Sequence, residues 1–294
     1  MSNPPTNYQE NHCWQYEIRL KNFDEDVKAS GLSRLKLDDL SCSDFTFQHE
    51  KKDTIFAEVK QFIQRHEWLG RISLTPTHFF TARYQGILAG VVIMDMPAAR
   101  SKMLGEDTIK LERLISRGAC VSWSPKNLAS SLISFSMKWM VENTDYRLFT
   151  AYSDPEAKEL GTIYQACNFY YLGQKFGAKK QFQIESGRWV SDRYFRSRSV
   201  YKRLAKKLGI TWEKHWQGTS GTKDKIHFDL MPSEVAEMIK SASKKYQLSC
   251  PQRKLLPKHK YAFIGGRNKR ERKLLRSLFE SRNKIYPYPK VRGV

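Results

Sequence analysis

The chain has 294 residues, with 51 Lys and Arg against 30 Asp and Glu, 40% hydrophobic residues and 13% aromatics. That much apolar material excludes a disordered basic protein, and the length suits one large or two small domains. No apolar run reaches the roughly 18 residues of a membrane span, and the polar first residues lack the basic flank and apolar run of an export signal, so a cytoplasmic protein with no membrane partner is expected.

The five cysteines (Cys13, Cys42, Cys120, Cys167, Cys250) are dispersed and form no CxxC pair, which argues against a disulfide framework or a zinc knuckle. The charge is one-sided. Residues 1–170 carry 20 Lys and Arg against 21 Asp and Glu, whereas residues 171–294 carry 31 against 9. Such asymmetry is the footprint of a polyanion-binding portion attached to a neutral, separately functioning one.

Residues 1–45 are polar, with the acidic clusters Asp24–Asp26 and Asp38-Asp39, and read as a loosely structured lead-in. In TIFAEVKQFIQRH, the positions Ile55, Phe56, Val59, Phe62 and Ile63 form one apolar helical stripe. HFFTARY and ILAGVVIM, separated by Gln85-Gly86, read as a β-hairpin, and TIKLERLI as a further strand. SWSPKNLASSLISFSMKWMVEN predicts a long helix with Pro125 near its start. YRLFTAY is a strand, Asp154-Pro155 opens a helix running to about Cys167, and NFYYLGQ returns as a strand.

This order predicts an α/β domain with a central mixed sheet flanked by helices. Beyond Gly177 the pattern is mixed and basic: a hairpin at Ser186-Gly187, three helices (FRSRSVYKRLAKKL, SEVAEMIKSASKKY, RNKRERKLLRSLFESRNK) and a strand KYAFIGG. The expected organisation is a lead-in (1–45), a core (46–177) and a basic α+β extension (178–294) packed on that core.

From about Phe79 to Gln174 the chain resembles the Gcn5-related N-acetyltransferases, in which a helix Tyr precedes by five residues the Phe that starts the next strand; here these are Tyr164 and Phe169. The combination of SPKNLASSL, AYSDPEAKELGTIYQACNFYYLG and a basic tail with KHKYAF and YPYPK is similar to the bacteriophage Mom family of DNA-modification proteins. The resemblance implies an acyltransferase-like fold and transfer of a methylcarbamoyl group to the exocyclic amine of adenine in phage DNA, protecting it from host restriction. The partner would be double-stranded DNA, its target base extruded from the stack. Acetyl-CoA or another acyl donor is implied, and iron, for which no ligand spacing in the sequence speaks. The segment GACVSWSPKN lacks the second glycine of an ordinary acetyl-CoA phosphate turn.

Catalytic candidates are Tyr164, Asp154, Tyr152 and His66. Tyr164 offers a proton to a leaving group; Asp154 serves equally well as a proton acceptor or a helix cap; Tyr152 offers a ring to a flipped base or packs in the core; His66 ends a helix within His66-Glu67-Trp68. Arg113, Arg117, Lys126, Asn127 and Ser130 suit the anionic part of a donor beside a helix N-terminus. For DNA, the candidates are Arg193, Arg196, Arg198, Lys202, Arg203, Lys206 and Lys207, interleaved with Tyr194, Phe195 and Tyr201, followed by Arg267, Lys269 and Arg270. Two other readings remain: an acyl-CoA-dependent N-acetyltransferase of a protein or small amine, and a non-catalytic nucleic-acid-binding protein.

Overall fold

The computed structural model describes residues 13–73, 75–97, 102–176, 180–218 and 225–290. Two compact units divide the chain: Met1–Phe176 with Lys258–Val294, and Gly177–Pro257.

In the first unit α1 (Trp14–Ser30) and α2 (Arg34–Asp38) precede β1 (Thr46–Glu50), α3 (Lys52–His66), β2 (Pro76–Tyr84) and β3 (Ile87–Asp95). The β2–β3 turn is the expected one, with Gln85 and Gly86 both at positive φ, as a two-residue hairpin of matching twist requires. A 3-10 stretch at Glu106–Leu111 leads into β4 (Glu112–Cys120), then α4 (Leu128–Asn143), β5 (Leu148–Ser153) and α5 (Thr162–Ala166), with β6 (Tyr170–Phe176) closing this part of the unit. The run TIKLERLI is thus a strand only from Glu112, where pairing with Leu148 of β5 begins.

The second unit holds β7 (Lys180–Gln183), β8 (Trp189–Val190), α6 (Asp192–Phe195), α7 (Arg198–Lys207), α8 (Ser233–Ser249) and β9 (Gln252–Lys254), with a small antiparallel sheet in the order β8-β7-β9. The chain then re-enters the first unit as β10 (Lys258–Ile264) and α9 (Lys269–Arg282).

The main sheet has the order β1-β2-β3-β4-β5-β10-β6. All pairs are antiparallel except β4–β5. The expected central mixed sheet flanked by helices is therefore present. The single extension over 178–294 needs correction, because KHKYAFI is an interior strand between β5 and β6. Its Tyr261, Ala262 and Ile264 are fully buried, the apolar content that an interior strand of a two-sided sheet demands. The positive charge is split accordingly: Gly177–Pro257 has 18 Lys and Arg against 7 acids, and Lys258–Val294 has 12 against 2.

The lead-in also needs correction. Within it α1 is a 17-residue helix whose apolar stripe is thin, Val27 being buried and Phe23 partly so, and it is held instead by polar anchors. Buried Asp26 accepts Ser122 Oγ at 2.7 Å and the Arg65 guanidinium at 2.8 and 3.0 Å, while Arg19 donates to Ser122 O at 2.9 Å. A helix fixed by hydrogen bonds in place of an apolar face leaves no hydrophobic period to read.

Candidate active site

The parallel β4–β5 pair sets the site. Its register covers only Glu112–Ile115 against Leu148–Ala151. Beyond that, β4 continues beside β3 and β5 beside β10, so the two strands part at their C-terminal ends. Crevices outside such strand ends are where α/β sheets place their sites.

Four segments meet at this parting. The end of α3 supplies Glu67 and Trp68, β4 supplies Arg117, the stretch after β5 supplies Asp154 and Glu159, and α5 supplies Tyr164. Trp68 Nε1 donates to Glu159 Oε1 at 2.9 Å, and the Asp154 amide to Glu159 Oε2 at 3.1 Å. Arg117 Nε stands 3.9 Å from Glu67 Oε1, and Glu67 is 8% exposed.

Burial pushes the Glu159 carboxyl up to about 7, against the pull of its two hydrogen bonds, with the charges of Asp154 and Glu67 adding to the rise. Burial also raises Glu67, which Arg117 and the Gly70 and Leu69 amides pull back. The Tyr164 phenol is raised by burial and by the neighbouring Glu159, Cys167 and Glu67, Arg117 opposing. A carboxyl raised toward neutrality near a phenol that keeps its proton is a combination suited to acid–base chemistry.

The local chain path explains the convergence. Asp154 Oδ1 accepts the Glu156 amide at 3.1 Å and so caps the 3-10 turn Pro155–Ala157, while Oδ2 pairs with Lys258 at 2.7 Å. The helix expected to run on to Cys167 is broken: Lys158 and Gly161 adopt positive φ, and α5 starts only at Thr162. Glycine is required at 161, since a Cβ would lie 2.5 Å from the Tyr261 ring. This doubling back aims Glu159 at the strand ends.

The remaining catalytic candidates lie apart. Tyr152 pairs in register with Lys260, whose Nζ is 5.7 Å from its ring, whereas Tyr164 packs on the Tyr261 ring at 5.4 Å. Successive strand residues point to opposite faces, so Tyr152 and Tyr164 occupy opposite faces of the sheet. His66 is buried, its Nδ1 3.5 Å from Asp26 Oδ2, and burial lowers its pKa. It belongs to the anchor that ties α1 and α3 to Ser122, while its neighbours Glu67 and Trp68 reach the site.

Arg113 stacks on Tyr146, its guanidinium 3.6 Å from the ring centroid, near the start of β4 and away from the parting. Arg117 donates to Arg71 O at 2.7 Å. Lys126 and Asn127 are exposed at the start of α4, where Ser130 Oγ bonds Asn127 O at 3.0 Å. The loop before them is closed. Trp123 is buried against Phe45, the Val121 amide donates to Ala89 O and the Ser124 amide to Val121 O. A glycine-type pyrophosphate cradle does not fit this loop. The first turn of α4 with Lys126 remains suited to a smaller anionic group.

Among the described residues no group of three or more His, Cys, Asp or Glu is placed to hold a metal ion, so nothing here supports iron. Nor is any helix among them long and apolar enough to cross a membrane.

Of the DNA candidates, Arg193, Arg196, Lys202, Arg203, Lys206 and Lys207 are exposed on α6 and α7 or beside them, and Arg198 is half-buried. Phe195 and Tyr201 are buried in the core of the second unit and are not available to stack on bases. Arg267, Lys269 and Arg270 are exposed in the other unit, Arg267 pairing with Asp145 at 3.0 Å.

Glu159 escaped the sequence reading because nothing in its spacing marks it. The available signal was an acid just before Leu160-Gly161, where a chain leaving a strand end must turn back. No curated protein matches the chain. Solved structures similar to it include an N-acetyltransferase from Staphylococcus aureus (13% identity, 49% of this chain and 92% of that one, TM-score 0.34). A spermidine/spermine N-acetyltransferase from Vibrio cholerae (12%, 46% and 83%, 0.34) and an IAA acetyltransferase from Bacillus cereus (12%, 50% and 93%, 0.33) are others. Likenesses this slight carry no functional argument. The Mom protein family model matches residues 52–230, more than half of the chain and the whole stretch that builds the parting of β4 and β5, and the chain belongs to that family.

Proposed function

We propose that this protein is a DNA-modifying transferase that places an acyl-type group, methylcarbamoyl in the family's pattern, on the exocyclic amine of adenine. The observation that carries the reading is Glu159, a carboxylate held near neutrality beside Tyr164 at the strand parting of a Mom-family chain.

The amine of adenine is a poor nucleophile, because its lone pair is delocalised into the ring. It needs a base as it bonds to the carbonyl carbon of the donor. Glu159 takes the amine proton. Trp68 Nε1 and the Asp154 amide hold the carboxylate in place, and Tyr164 gives its proton to the leaving group. Lys126 and the first turn of α4 take the anionic part of an acyl donor whose charged group is smaller than a CoA pyrophosphate.

The DNA substrate is supported by the 30 Lys and Arg against 9 acids of residues 177–294. Steering and phosphate neutralisation follow from such charge. The closed loop at Trp123 weighs against an ordinary N-acetyltransferase of proteins or small amines. DNA from host cells expressing the protein should resist restriction enzymes that read adenine-containing sites; full sensitivity in cells with soluble protein would contradict the proposal.

A further inference from the structure

At the edge of the main sheet the chain after α9 returns along β6. The Tyr286 amide donates to Tyr171 O at 2.9 Å, and Tyr288 Oη donates to Phe169 O at 2.6 Å. Gly173, at φ +90°, makes room for the Tyr286 ring, since a Cβ there would stand 3.2 Å from it. Strap, β6 and α9 border a shallow, open cleft of about 340 Å³ lined by Phe169, Tyr170, Arg276, Ile285, Tyr286 and Tyr288 among others.

Three observations say what this cleft takes. Tyr288 and Ile285 are 39% and 40% exposed, an aromatic and apolar surface open to water. Arg276 Nε is buried and makes no hydrogen bond among the described residues. Lys258–Val294 carries 12 Lys and Arg against 2 acids, and both acids are engaged, Glu271 with Arg147 at 2.8 Å and Glu280 with Tyr170 Oη at 2.6 Å. Aromatic faces among cations are the chemistry of an unpaired nucleotide, whose base stacks while its phosphate meets the charge. Phe169, whose carbonyl borders the cleft, turns its buried ring to within 5.4 Å of the Tyr164 ring, so the cleft backs onto the candidate active site.

We propose that this cleft holds one unpaired nucleobase of the bound DNA, with Tyr286 and Tyr288 as the stacking platform and Arg276 reaching its phosphate. The inference rests on the DNA reading given above. The test compares binding of the full-length protein to two duplexes that differ only by one bulged adenine. The bulged duplex should bind about five- to hundredfold more tightly, the range for stacking one base on aromatic side chains.

Arg276→Gln and Tyr288→Leu, each checked for an unchanged melting temperature, should lose most of that preference and keep the affinity for the paired duplex. Equal binding of both duplexes by the wild type, or a preference that survives in both folded variants, would overturn the cleft's role and leave DNA binding standing. Binding to neither duplex would overturn the DNA reading itself, and this inference with it.

Discussion

Replacing Glu159 by Gln should silence modification and stabilise the protein at the same time. The native carboxyl titrates at about 7 against an ordinary 4.5, so folding favours its protonated form. Stability from this group is fully present below about pH 4.5 and is lost as pH rises to 7, where the buried carboxylate must ionise; the whole shift corresponds to about 3 kcal/mol. Gln keeps one oxygen for Trp68 Nε1 but turns an NH2 toward the Asp154 amide, a lost hydrogen bond of about 1 kcal/mol. At pH 8 the variant should therefore be more stable by about 2 kcal/mol, roughly 4–8 °C in Tm for a unit of this size, with the gain gone by pH 4.5. Thermal unfolding of both proteins between these limits checks the sign, and DNA from expressing cells checks the activity. A gain over the wild type no larger at pH 8 than at pH 4.5 would refute the buried-carboxylate reasoning, and an active variant would refute the base.

Tyr164→Phe keeps the ring on Tyr261 and Phe169 and loses only the hydroxyl, so modification should fall about a hundredfold or more with unchanged DNA affinity; wild-type levels of modified adenine would remove the phenol from the mechanism. Asp154→Asn retains the cap and gives up the pair with Lys258, whose side chain is 38% exposed, so it should cost less than about 1 kcal/mol and leave modification intact. A folded but inactive Asn variant alongside an active Glu159→Gln would transfer the base role to Asp154. Gly161→Ala sets a methyl 2.5 Å from the Tyr261 ring at a φ of +68° and should destabilise by about 2 kcal/mol or more, read by denaturant unfolding. Charge reversal of Lys202, Arg203, Lys206 and Lys207 should weaken duplex binding regardless of sequence and flatten its salt dependence between about 50 and 200 mM, as counterion release requires; unchanged salt slopes would place the DNA elsewhere.

The elements of the core were legible because each carries its own period. The β2–β3 hairpin, α3, α4 and the interior strand KYAFI are written in local apolar spacing and turn residues. The tail helices were legible too, yet not their membership: nothing in a run such as KYAFI says that 81 residues earlier the chain left the same sheet. Pairing across so long an insertion is a tertiary fact. Fully buried Tyr261 on the interior strand β10, one in from the edge, also means that a fragment ending at residue 177 would lack a strand between β5 and β6.

For the site, the Asp154-Pro155 and GTIYQACN segments pointed to the right corner of the fold, and Tyr164 is there. His66 stands one residue from Glu67, and Tyr152 faces Lys260 while Tyr164 packs on the neighbouring Tyr261; in strands and helix ends one residue turns a side chain to another surface. Phe195 and Tyr201 looked available for stacking beside Arg and Lys, but a small unit needs its aromatics for its own core. Glu159 gains its properties from burial against Trp68, which lies 91 residues away in sequence.

Mass spectrometry of nucleosides from the DNA of cells expressing the protein tests the account most directly. Adenine carrying the added methylcarbamoyl group should appear with the wild type and be absent with Glu159→Gln at equal soluble expression. Unmodified adenine throughout, with a new acyl group on a protein or small amine instead, would contradict it.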